Sequence, residues 1–195
     1  MNLLVCGVGG QGVLLFSDII ARIALASGFD VKKSEVHGMA QRGGSVTSHI
    51  RWAKKVYSPL IEEGTADLIV GFEMLEAIRY RYFLSPNGWL IYDPLRIDPL
   101  PVKIGLVERL TDEQLANRLR LTTPKNIPVP AFDTACALGN PRVQNTVMLG
   151  ALSQLLEFPQ EIYEDVIKQT VKPSLVAINL KALTAGATLI TEHRQ

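Results

Sequence analysis

"CGVGGQGVLLFSD", residues 6–18, sets Gly7, Gly9 and Gly12 in the pattern G-x-G-x-x-G directly after an apolar run. In a strand–turn–helix setting, Gly7 is expected to permit the tight turn. Gly9 lets the backbone approach an anion, and Gly12 lets the helix pack closely on the strand. Backbone N–H groups at the helix start then face that anion, aided by the helix dipole. The same glycines also suit a tight crossover with nothing bound, so the spacing by itself leaves the ligand open. Gln11 adds an amide inside the turn, for a ligand or as a cap on the helix.

Outward from this turn the pattern alternates strand and helix. Residues 2–6 read as a short, fully buried strand, and residues 10–27 carry helical apolar spacing that ends at Gly28. Residues 30–36 and 45–52 read as strands flanking a loop of residues 37–44. In the second of these, Val46, Ser48, Ile50 and Trp52 alternate with Thr47, His49 and Arg51, which places His49 on a solvated face. Residues 66–72 form another apolar strand, 73–84 a helix stopped by "SPNG", and 89–92 a short strand. Prolines crowd residues 93–130, where only 111–119 reads as a helix, capped by Thr111. Helices are then expected over 133–138, 143–156, 160–170 and 174–185. The order implies an α/β fold: a Rossmann-like, mostly parallel sheet flanked by helices, with a helical C-terminal part. No repeat or linker interrupts residues 1–195, so one domain is expected.

The composition sets limits on function. Of 195 residues, 47% are apolar and 20% charged, with a net charge of +1, as in an ordinary soluble protein without a pull toward nucleic acid or anionic membrane. The opening "MNLLVCGVGG" does not read as a signal peptide, and no stretch is expected to span a membrane. A cytoplasmic setting is then expected, with Cys6 and Cys136 as buried apolar residues. Two cysteines cannot supply the four thiolates of an ordinary iron–sulfur cluster, and no His/Cys/Asp/Glu group has metal-ligand spacing.

A nicotinamide or flavin site needs an acid ending the second strand, about 20 residues past the turn, to hold ribose hydroxyls. Glu35 stands there, but Lys32 and Lys33 precede it. The second glycine-bearing segment is more unusual. "SEVHGMAQRGGSVTSHIRW", residues 34–52, gathers His37, Gln41, Arg42, Gly43 and Gly44 at the end of one strand and the start of the next. Ligands on open α/β sheets sit at the carboxyl ends of strands, which puts this loop beside the first glycine turn. Arg42 can offer its planar fork to a phosphate or carboxylate, or pair with an acid on a neighbouring chain. His37 lacks a nucleophile and carboxylate in a recognisable arrangement, so no catalytic residue is assigned. The apolar run Met74, Leu75, Ile78, Tyr82 and Phe83 reads as core, and Asn145 and Asn179 as structural amides needing partners if buried.

At "GVGGQGVL" and "SEVHGMAQRGGSVTSHIRW" the chain resembles the gamma-type domain of 2-oxoacid:ferredoxin oxidoreductases, above all the beta-subunit branch of the indolepyruvate type. The resemblance continues through "ADLIVGFEMLEAIRY", "NTVMLGAL" and "SLVAINLKALTAG" and is weakest over residues 93–130. It implies an accessory subunit, inert alone, of an enzyme that oxidatively decarboxylates a 2-oxoacid to an acyl-coenzyme A and passes electrons to ferredoxin. Thiamine diphosphate, magnesium and iron–sulfur clusters are then carried by a large alpha subunit, and a homodimer of the isolated chain stays open. The resemblance further implies coenzyme A handling by Gly7, Gly9, Gly10, Gln11 and Gly12 together with His37, Gln41, Arg42, Gly43 and Gly44. A free-standing NAD- or FAD-binding oxidoreductase is the rival reading.

Overall fold

The computed structural model describes residues 1–37 and 43–193, and of His37 and residues 191–193 only the backbone. Six strands make one sheet in the order β2-β3-β1-β4-β5-β6. They are β1 (Asn2–Val8), β2 (Asp30–His37), β3 (Ser45–Ala53), β4 (Ala66–Gly71), β5 (Leu84–Tyr92) and β6 (Asn126–Pro128). β1, β4, β5 and β6 run parallel, whereas β3 is antiparallel to both β1 and β2. Five strands therefore point one way and β3 alone is reversed. The expected mostly parallel sheet is present, with β2 and β3 pairing as antiparallel neighbours in sequence rather than as parallel strands joined by a crossover helix.

β1 is buried on both faces, which explains its unbroken apolar sequence. Leu3 and Val5 face one core with Phe16, Ile20, Ile50 and Val70, while Leu4 and Cys6 face the other with Ile69, Met74, Ile78 and Leu90. The first core is covered by α1 (Val13–Ala26) and by the C-terminal helices α5 (Ala131–Ala137), α6 (Gln144–Ser153), α7 (Gln160–Thr170) and α8 (Val176–His193). The second is covered by α2 (Met74–Tyr80) and α4 (Asp112–Arg120), which begins in a capping box between Thr111 and Gln114. A short α3 (Leu100–Lys103) lies within the proline-rich segment.

α6 and α8 cross at two glycines. A Cβ on Gly150 would fall 2.0 Å from the Leu183 carbonyl oxygen, and one on Gly186 1.9 Å from that of Val147. The window Pro173–Ile190 is long and apolar enough to cross a membrane by length and composition alone, contrary to the reading that no stretch is. About a quarter of that window is buried, including Ala182, Leu183 and Ile190.

Several local expectations change. The "SPNG" segment lies within β5, because Leu84 pairs with Ala66 before an irregularity in the ladder. Cys136 is exposed, since it lies on the open side of the short helix α5. Met74 and Ile78 are core as expected, but Tyr82 is 49% exposed.

His49 is not solvated. It is 7% exposed because the segment after β3 folds over it: its Nδ1 accepts the Ile61 N–H at 3.2 Å, and Phe83 meets it edge-on at 5.4 Å. Burial holds its imidazole below the usual value of 6.5. Between that depressed value and 6.5 the unfolded chain binds more protons than the native one, so the His49 contribution to stability is lost on acidification below 6.5. His49→Gln is expected to flatten this slope relative to wild type, measured by urea unfolding at a series of pH values between about 5 and 8.

Candidate functional site

The carboxyl ends of β1, β4, β5 and β6, together with the β2–β3 bend, make one rim of the sheet. Gly7 does not shape the turn. A Cβ there would lie 2.8 Å from Phe72 Cβ and 2.9 Å from Val13 Cγ2, so Gly7 allows close packing of β1 against its neighbours. The turn itself is made by Gly10 and Gly12, at φ 109° and 81°. Gln11 does not cap α1. Its Oε1 accepts the Val8 N–H at 2.7 Å and its Nε2 donates to the Phe72 carbonyl at 2.8 Å, so the amide braces the turn from within. Gly12 is the N-cap of α1, which has no side-chain cap and no acid in its first turn.

The two glycine segments meet. The Gly9 N–H donates to the Gly44 carbonyl at 2.8 Å, and the Gly43 N–H to the Gly9 carbonyl at 3.4 Å. The His37 backbone pairs with Val46 at the end of the hairpin. Gln41, Arg42 and the His37 side chain lie outside the described residues, so their placement beside the turn is not part of this geometry.

Three buried polar groups that the sequence reading missed, or noted only in passing, underlie the rim. Glu73, 1% exposed, caps α2 through Oε2 to the Glu76 N–H (2.9 Å) and holds the Ile97 N–H through Oε1 (2.9 Å). Burial pushes its carboxyl above the usual range against these hydrogen bonds. Glu76, 5% exposed, accepts from the Ser45 hydroxyl and pairs with Arg79 at 3.2 Å, while the Tyr80 hydroxyl lies 3.0 Å from Ser45 Oγ. Asp93, 2% exposed, accepts from Leu95 N–H (2.9 Å), Phe132 N–H (2.7 Å) and Gln144 Nε2 (2.9 Å), and burial raises its pKa too. Gln144 also donates to the Phe72 carbonyl at 3.1 Å. The signal available in advance was Glu73 at the opening of α2; nothing local marks Asp93 and Gln144 as partners. Asn179 finds the partners expected of it, Thr146 Oγ1 at 2.6 Å and the Leu175 carbonyl at 2.8 Å.

A cavity of about 450 Å³ opens between the bends and α2, lined by Val8, Gly43, Ser45, Glu73, Glu76 and Arg79. The described residues hold no group of three or more His, Cys, Asp or Glu side chains that could bind a metal. The dinucleotide arrangement is not built. β3 separates β2 from β1, so Glu35 is carried one strand away from the turn, and its carboxylate pairs with Lys33 at 2.6 Å.

Against known proteins, the family described as pyruvate ferredoxin/flavodoxin oxidoreductase matches residues 2–189. The indolepyruvate oxidoreductase subunit IorB of Archaeoglobus fulgidus is 42% identical over 188 residues, covering 95% of this chain and 93% of that one. Among solved structures, the gamma subunit of a keto/oxoacid ferredoxin oxidoreductase from Geobacter sulfurreducens superposes with a TM-score of 0.72, at 21% identity and 98% coverage of both chains. A 2-oxoglutarate:ferredoxin oxidoreductase from Magnetococcus marinus, with 2-oxoglutarate, coenzyme A and succinyl-CoA bound, superposes at 0.74 and 21% identity, over 98% of this chain and 31% of that one. At these identities the two structures speak for the fold alone.

Proposed function

The chain belongs to the pyruvate ferredoxin/flavodoxin oxidoreductase family, and from that premise we propose how it serves as the small, gamma-type subunit of a 2-oxoacid:ferredoxin oxidoreductase. Residues 1–195 act as a single gamma-type domain in the cytoplasm. They complete an active site whose thiamine diphosphate, magnesium and iron–sulfur clusters belong to a large alpha subunit. Those groups decarboxylate the 2-oxoacid, and the electrons leave to ferredoxin. The substrate is an arylpyruvate such as indolepyruvate, in keeping with the name of the 42%-identical relative. Coenzyme A meets the rim formed by Gly9, Gly10, Gly12, Gly43 and Gly44, together with His37, Gln41 and Arg42 of the sequence between the two strands. Gly7 and Gln11 support this surface from inside.

The observation carrying this reading is the mutual hydrogen bonding of Gly9 with Gly43 and Gly44, which joins the two glycine segments at the strand ends where open α/β sheets usually take ligands. It offers backbone groups to a ligand, and the described residues hold no group of three or more side chains that could bind a metal. Such a surface acts once a cofactor-loaded partner closes over it.

Co-expression with the large subunit is expected to yield a brown complex that reduces ferredoxin when given indolepyruvate and coenzyme A. Omitting this chain is expected to remove that activity. Full turnover by the large subunit alone overturns the reading, as does NADH-linked dehydrogenase activity of this chain by itself.

A further inference from the structure

We propose that the outer edge of β2 pairs with the same edge of a second copy of this chain, across a two-fold axis at Ser34. β2 ends the sheet, and the bonding of its neighbours fixes which of its backbone groups are spare. Met1 and Trp52 exchange both backbone hydrogen bonds, at 3.0 and 3.1 Å. Alternation along an antiparallel ladder then turns Val46, Ser48, Ile50 and Trp52 of β3 toward β1, and Thr47, His49 and Arg51 toward β2. Their partners Val36, Ser34 and Lys32 direct their backbone groups to β3. Val31, Lys33, Glu35 and His37 therefore turn N–H and C=O outward, and no backbone group of another described element meets them.

Natural sheets blunt a free edge with short strands, prolines, bulges or charges. The opposite edge is blunted in this way: β6 is three residues long, and Pro124, Pro128 and Pro130 crowd it. β2 is eight residues long, contains no proline and pairs with β3 without a break, and none of residues 30–36 is buried. Its charges select the occupant. A two-fold axis normal to the sheet keeps each face on its own side, so opposed residues share a face and the axis passes through a residue. At Lys32 or Lys33 it sets a lysine against its own copy, and at Glu35 a carboxylate against its own, which is destabilising. At Ser34 it sets Lys33 opposite Glu35 of the second copy, twice. Lys33 and Glu35 already pair within one chain at 2.6 Å, so the four charges alternate in sign around the axis. In the same register the spare groups of Val31, Lys33, Glu35 and His37 meet as bonded pairs, giving about eight hydrogen bonds. On the other face the stem of Lys32 covers Val36 of the second copy, which is 55% exposed in the single chain.

α1 widens the contact. It lies over β2 and β3, so this axis sets the two α1 helices about 10 Å apart, a packing distance for helices. Asp18 of α1 reaches Lys33, and Leu14, Ala21 and Leu25 share its side of the helix. Leu14 and Leu25 are both exposed in the single chain, and each gains an apolar neighbour from the second α1.

The pairing stands on this chain's own edge and does not depend on the subunit assignment. Sedimentation velocity of the isolated full chain, from about 1 to about 200 µM, is expected to show a species of twice 21.5 kDa growing with concentration. Glu35→Lys opposes two lysines at both places and is expected to weaken association at least about tenfold. Adding Lys33→Glu to it is expected to restore association, because the charges then exchange places across the axis. Leu25→Glu, at an exposed position of α1, is expected to weaken the dimer without touching β2, and carries the test should the strand variants fail to fold. Amide hydrogen exchange reads the register: Lys32, Ser34 and Val36 are expected to be protected at every concentration, and Lys33 and Glu35 only in the dimer. A monomer throughout the range overturns the pairing, as does a dimer indifferent to both Glu35→Lys and Leu25→Glu. Protection of Lys33 and Glu35 only when the large subunit is added assigns the edge to a strand of that partner and also overturns it. Each of these results leaves the subunit assignment standing, whose own failure shows in the co-expression assay.

Discussion

Gly186→Ala is expected to destabilise the protein by more than about 3 kcal/mol, the upper end of the usual cost of overfilling a packed site. The new Cβ would sit 1.9 Å from the Val147 carbonyl oxygen and 3.0 Å from the Ala151 nitrogen. Both atoms are backbone of α6, so no side-chain rotation relieves the clash, and the helices must separate. Separation uncovers Val147, Ala151, Leu183 and Ile190, all fully or almost fully buried. The helix propensity gained on replacing glycine, about 1 kcal/mol, is too small to compensate. Urea unfolding checks this, with Thr184→Ala on the exposed side of α8 expected to stay within about 0.5 kcal/mol of wild type. A wild-type midpoint for Gly186→Ala would mean that the two helices do not cross as described.

The second large effect falls on the rim. Asp93→Ala removes the acceptor for two backbone N–H groups, of Leu95 and Phe132, and one of the two acceptors for the Gln144 amide. Each buried donor left unmet costs about 1–3 kcal/mol, so a loss of about 3–5 kcal/mol is expected. Asp93→Asn keeps one acceptor oxygen but turns an NH₂ toward other donors, and should fall between wild type and alanine. Because Asp93 ties the start of α5 to the first turn of α6, the alanine variant should also loosen Phe132 and Gln144 at the rim. The unfolding midpoint reads the first consequence, and amide hydrogen exchange at Phe132 reads the second.

Local periodicity accounts for most of the structure that the chain disclosed in advance. The helix over 160–170 and the strands of the sheet centre were legible because a packed face repeats every 3.6 or 2 residues. The Thr111 cap was legible because its chemistry spans only four residues. Three things were not. The reversal of β3 depends on which strand it pairs with, and alternation along "SVTSHIRW" is identical for either direction. His49 was misplaced because its cover comes from Ile61 and Phe83, which alternation within the strand cannot register. Asp93 and Gln144 stand 51 residues apart and meet only when β5 and α6 share the rim. At the candidate site, the adjacency of the two glycine bends was foreseen. The internal duties of Gly7 and Gln11 were not, because a motif records spacing and not which neighbours fill the space.

Reversing one strand has a consequence for how this surface is tethered. Along the parallel part of the sheet, each strand reaches the edge once and its chain then departs over a helix. The β2–β3 hairpin both arrives and leaves there, with His37 held to Val46 at one foot and Ser45 held to Val8 at the other. Both feet of the hairpin are thus anchored in the sheet, and Gly43 and Gly44 tie it to Gly9 in the turn that leads into α1, so any displacement of the hairpin is shared with that turn.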